Sequence, residues 1–101
     1  MIVRLTAEAE NDLESIGDCI AQDNPRRALS FVLELREKCM SLADMALAFP
    51  LVPRYERHGI RRRPHGNYLV FYRIEGDQAV ILHVLHSAMD YVTLLFSSEE
   101  E

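Results

Sequence analysis

Between Arg54 and Arg73 the chain places six arginines, at positions 54, 57, 61, 62, 63 and 73, against a single acid, Glu56. A guanidinium fork binds carboxylates and phosphates bidentately, so a strip with a local charge of +5 asks for an anionic partner. The other 81 residues sum to −10, and the overall charge of −5 argues against general affinity for nucleic acid. In an extended segment Arg61 and Arg63 share one face and Arg62 takes the other. At most two of the three then meet any one partner. Arginines on an edge strand also discourage edge-to-edge aggregation. The two uses are compatible, because a protein partner would cover that same edge.

RNA cleavage by a 2′-hydroxyl needs a base, an acid and cations that stabilise the extra transition-state charge. The weak nuclease candidates are His86 as base, Arg61 or Arg63 as phosphate clamp, and Tyr91 as acid. Otherwise His86 is a strand-end histidine that bonds backbone. The only lysine is Lys38, inside a helix, and Ser87-Ala88-Met89-Asp90 supplies no base after the last strand. The expectation is therefore a protein with no catalytic residues, not an enzyme. No metal site and no cofactor are expected, since His58 and His65 have no acidic or thiol partner in ligand spacing. Cys19 and Cys39 form no short Cys-x-x-Cys pair and are expected to be reduced and buried.

The elements that position these groups can be read in order. A chain of 101 residues makes one domain with one modest core, too small to enclose a large water-free cleft. With no apolar run of about 18 residues and no leader, it is expected to be cytoplasmic, with no membrane partner. Ile2 to Leu5 is a short β-tolerant run. Thr6 caps a first helix with the stripe Ala9, Leu13, Ile16 and Ile20. Asn24-Pro25 opens a second helix to about Ala48, striped by Ala28, Phe31, Val32, Leu35, Cys39, Leu42 and Ala46. Phe49-Pro50-Leu51-Val52-Pro53 ends it. Runs at Gly59 to Pro64, Asn67 to Ile74 and Ala79 to His86 are β-like, with a turn at Glu75-Gly76-Asp77-Gln78. Tyr68 and Arg73 fall on opposite faces of their strand.

The fold class is then α+β: an N-terminal helical hairpin packed on a twisted antiparallel sheet of three to four strands. Residues 1–96 form the single domain, and 97–101 an acidic, frayed tail. Leu94, Leu95 and Phe96 are expected to be exposed and to favour self-association.

Asp12-Leu13 with Ile16, Asp23-Asn24-Pro25, Gly59-Ile60-Arg61, Asn67-Tyr68 with Phe71-Tyr72-Arg73, and Val84-Leu85-His86 occur in an order and spacing that resembles the ParE/RelE superfamily of toxins. These belong to bacterial type II toxin–antitoxin modules, and the likeness, over about residues 2 to 92, is greatest to the ParE branch. The resemblance implies a toxin that arrests growth by inhibiting DNA gyrase and is neutralised by a cognate ParD-like antitoxin in a hetero-oligomer, with no direct nucleic-acid contact. Arg54, Arg57, Arg61, Arg63, Tyr68 and Arg73 are the expected antitoxin-binding residues, the arginines accepting carboxylates and the tyrosine serving as anchor. RelE-type ribosome-dependent mRNA endonucleases are the alternative. They carry lysines before the central strands, an arginine after the strand tyrosine, where this chain has Leu69, and another after the last strand. A catalytically silent antitoxin-binding module is a further alternative. Met89 stands where ParE-like chains usually carry an arginine, which bears on potency.

Overall fold

The computed structural model describes residues 1–96; the acidic tail expected over 97–101 lies outside the described residues. Strand β1 (Ile2–Leu5) leads into helix α1 (Ala7–Ala21) through Thr6, whose Oγ1 accepts the Ala9 amide at 3.1 Å. Helix α2 (Pro25–Met40) begins at Asn24, whose side chain accepts the Arg27 amide at 3.1 Å, with Pro25 where a missing N–H costs nothing. Each helix turns its apolar stripe to the sheet: Ala9, Leu13 and Ile16 from α1, and Phe31, Leu35 and Cys39 from α2.

Helix α2 stops at Met40, short of the expected Ala48, and tightens into a 3-10 turn at Ser41–Ala43. The cause is tertiary. Ser41 Oγ and Arg63 Nη1 both donate to the Lys38 carbonyl, each at 3.0 Å, and Tyr72 Oη donates to the Ala46 carbonyl at 2.7 Å. Carbonyls held this way no longer call for a continuing helical ladder.

Strands β2 (Ile60–His65), β3 (Tyr68–Glu75) and β4 (Gln78–His86) complete a four-stranded sheet in the order β1-β4-β3-β2. The tight turn between β3 and β4 uses Gly76 at φ 60°, a left-handed conformation that suits glycine. The β2–β3 and β3–β4 pairs are antiparallel. The α+β class and the hairpin-on-sheet packing are as expected, but the sheet is mixed: β1 runs parallel to β4, with Ile2 opposite Gln78 and Leu5 opposite Ile81. These strands are joined by no tight turn, so nothing forces them antiparallel.

A third layer covers the other face of the sheet. Helix α3 (Tyr91–Phe96) lays Phe96 into a second cluster with Val52, Ile60, Leu69, Phe71 and Leu85. Phe96 is 1% exposed, contrary to the expectation of a free apolar tail; Leu95 is half-buried, and only Leu94 is exposed. The unclaimed apolar face of the sheet is what draws this segment in. Among the described residues no helix is long and apolar enough to cross a membrane.

Candidate functional site

Alternation along β2 sends its three consecutive arginines to different tasks. Arg61 and Arg63 lie on the helix-packed face. Arg61 Nη1 donates to the Phe49 carbonyl at 2.7 Å, and Arg63 Nη1 donates to the Lys38 carbonyl and to Ser41 Oγ at 2.6 Å. The Arg63 guanidinium also stacks over the Phe49 ring, 4.7 Å from its centroid. A cation at the last carbonyls of α2 complements the negative end of the helix dipole. Arg62, on the opposite face, donates to Tyr91 Oη at 2.8 Å and ties β2 to α3. All three are half-buried. Part of the strip read as a partner surface is thus employed inside the molecule.

The remaining expected antitoxin-binding residues do not form one patch. Arg54 and Arg57 stand exposed in the loop before β2, Arg54 at φ 75° in the left-handed region. Arg73 is exposed on the α3 side of the sheet, paired with Glu75 at 2.6 Å. Tyr68 lies on the helix side at the far end of β3, where its ring meets Phe31 and, edge-on, His86. Burial pushes the Tyr68 hydroxyl upward, with nearby Cys19 adding in the same direction. Tyr68 and Arg73 thus occupy opposite faces, as alternation requires.

The three nuclease candidates are not brought together. Arg61 and Arg63 face the helices, whereas Tyr91 packs on Phe71 across the sheet at 4.9 Å. His86, exposed at the end of β4, accepts the Ala88 amide with Nδ1 at 3.0 Å. A neutral ring bonded this way carries its proton on Nε2, leaving no free lone pair for base catalysis. The histidines are dispersed: His58 packs tilted against Phe96, His65 meets Glu34, and His83 meets Asp12.

Two arrangements escaped the sequence reading. Asp12 Oδ2 accepts the Val84 amide at 2.9 Å and His83 Nδ1 at 2.8 Å, while Thr6 Oγ1 lies on the Ile81 and Leu82 carbonyls. Together they close the edge of β4 where β1 runs out after Ile81. The available signal was a polar residue beside the buried stripe of α1. The other is Cys19, expected to be buried but exposed, because it lies off the Leu13–Ile16 stripe. Cys39 is buried as expected, and burial pushes its thiol up to about 11, so it stays protonated and unreactive at neutral pH.

A family model described as ParE toxin of type II toxin–antitoxin system, parDE, matches residues 3–91. Among solved structures, the chromosomal ParDE toxin–antitoxin system from P. aeruginosa is similar at a TM-score of 0.75 and 24% identity, covering 85% of this chain and 95% of that one. The RelBE2 toxin–antitoxin complex from Mycobacterium tuberculosis is similar at a TM-score of 0.62 and 27% identity, covering 84% and 95%. No curated protein matches the chain.

Proposed function

The chain belongs to the ParE toxin family of type II toxin–antitoxin systems, and from that membership we propose that it arrests growth in the cytoplasm by binding DNA gyrase, without catalytic residues of its own, until a ParD-like antitoxin silences it. The observation that carries this reading is the family match over residues 3–91. The dispersal of His86, Arg61 and Tyr91 over separate surfaces supports inhibition by occupancy over RNA cleavage, which needs its acid, base and clamp within reach of one phosphate.

Purified protein should inhibit gyrase supercoiling while leaving ribosome-bound message intact. Full supercoiling at saturating protein overturns the gyrase reading, and message cleavage would favour the endonuclease instead. For the antitoxin, acidic side chains meet the exposed Arg54 and Arg57. Arg54→Glu with Arg57→Glu then weakens complex formation with the protein encoded immediately upstream, because attraction becomes repulsion. Reversing Arg61 and Arg63 is a poorer test, since they also hold the Phe49 and Lys38 carbonyls.

A further inference from the structure

The two outer edges of the sheet are unequal. The edge of β2 is covered by the chain before it: the Val52 amide donates to the Ile60 carbonyl at 2.9 Å and the Arg62 amide to the Pro50 carbonyl at 3.1 Å. The edge of β1 is open. Its Ile2 amide donates to the Asp77 carbonyl, and the amide of Thr6 to the Ile81 carbonyl, each at 3.0 Å. Ile2, Arg4 and Thr6 therefore face β4 with their main chain, and Val3 and Leu5 face outward. Among the described residues no hydrogen bond reaches those outward groups.

The surface beside this edge is apolar. Ile2 is 59% exposed and Leu47 74%, and Met1 and Met45 are exposed as well. Met1 and residues 43–48 line a shallow hollow there. An open strand edge bordered by exposed apolar side chains is a template for pairing, which proteins ordinarily defend with charge or proline. Strand β1 holds one charge, Arg4, and no proline. Exposed Asp44 lies at the hollow, so the corner is close to neutral, unlike α1 with its acids Glu8, Glu10, Asp12, Glu14 and Asp18 and no base.

We propose that two copies of the chain pair through their β1 strands, antiparallel about a two-fold axis, so that the two sheets become one. A near-neutral corner selects no strongly charged partner. What it offers, main-chain donors and acceptors flanked by apolar side chains, is also what it lacks, and an isologous contact needs that self-complementarity. Outward-facing residues must meet one another, which leaves registers centred on Val3, Arg4 or Leu5. Centring on Arg4 sets two guanidinium groups directly opposite, a destabilising pair. Centring on Leu5 sets Val3 against Ala7, which already belongs to α1. Centring on Val3 uses the whole strand: Val3 meets its own copy, Ile2 meets the other copy's Arg4, and Met1 with its hollow meets the other copy's Leu5. One strand and a few side chains cover less than the roughly 800 Å² per partner of a standard interface, so association belongs in the range of tens of micromolar. The charge of −5 on each copy repels at long range, and salt screens it.

The test is sedimentation of the full chain across concentration, with variants whose folding is checked by thermal melting. The mass should rise from 11.6 kDa toward twice that value between about 1 and about 500 µM, at lower concentration when salt is added. Val3→Pro removes an amide that β4 does not use and should raise the midpoint at least about 10-fold. Leu47→Glu, outside the strand, should do the same, and it keeps the test decisive if the proline variant does not fold. The register is read in a Cys19→Ser background: Ile2→Cys mixed with Arg4→Cys should cross-link under mild oxidation, since residues opposite each other in such a pair lie about 4.5 Å apart, whereas neither should cross-link alone. A chain that stays monomeric throughout overturns the proposal, as does a dimer that neither Val3→Pro nor Leu47→Glu weakens. Cross-linking by Arg4→Cys alone overturns the register. A monomeric chain whose binding to the upstream-encoded protein is weakened by Val3→Pro would assign the edge to that protein and overturn the self-pairing.

Discussion

The sheet is closed on its helix-packed face by two capped helices of 15 and 16 residues, and on the other by the six-residue α3. The first face carries thirteen mutually packed buried residues and the second six. The first is also fastened by polar ties to carbonyls that need them, from Arg61, Arg63 and Tyr72. The second keeps the ring nitrogen His58 Nε2 buried without a hydrogen-bond partner among the described residues, and rests on a loop where Arg54 adopts a left-handed backbone. A helix of six residues is too short to hold itself, so α3 depends on what Phe96 and Tyr91 touch and on Asp90, which accepts the Thr93 amide at 3.2 Å. One face carries global stability, and the other is a cover that can open locally.

The largest expected effect lies on the helix-packed face. Leu35→Ala, at a position with no exposure, should lower unfolding free energy by about 3 kcal/mol in denaturant titration, with a single transition kept. Alkali should act on the same face through Cys39. Its thiol is held at about 11 against an ordinary 9.0, so the folded state prefers the neutral form. Stability is fully present below about pH 9 and falls by about 2–3 kcal/mol toward pH 11, as the unfolded chain ionises first. Cys39→Ala should flatten the early part of that curve; Tyr72, whose hydroxyl is also raised by burial, contributes above pH 10.0.

On the opposite face Phe96→Ala should cost only about 1–2 kcal/mol globally while hydrogen exchange across Tyr91–Phe96 becomes fast, because α3 can detach without unfolding the sheet. A loss as large as that of Leu35→Ala, with exchange elsewhere equally raised, would merge the two faces into one cooperative unit. The smallest effect has the opposite sign. Arg54→Gly should stabilise by about 1 kcal/mol by relieving a backbone conformation that disfavours side chains. A separate labelling experiment reads the contrast directly: iodoacetamide should modify Cys19 in the native chain and reach Cys39 only on denaturation.

What could be read from sequence and what could not divides along physical lines. The stripe Ala9–Leu13–Ile16, the Thr6 cap and the Asn24-Pro25 start are local signals, and each element they announced is present. Alternation correctly separated Arg62 from Arg61 and Arg63, but the carbonyls that receive them belong to Phe49 and Lys38, 12 and 25 residues away in sequence. Pattern gives the direction in which a side chain points; only the folded chain shows what it meets. The same long-range ties ended α2 early, and the bare second face of the sheet buried Phe96.

The parallel pairing of β1 with β4 also bears on synthesis. Ile2–Leu5 leave the ribosome well before the strand they pair with, since Gln78, the partner of Ile2, follows it by 76 residues. At about 5–20 residues per second the opening strand waits several seconds with nothing to pair against. Translation that halts before β4 leaves a helical hairpin whose apolar stripes have no complete sheet beneath them. Such a fragment should be aggregation-prone and harmless to the toxin's target, so the cell meets this fold either whole or as debris for its proteases.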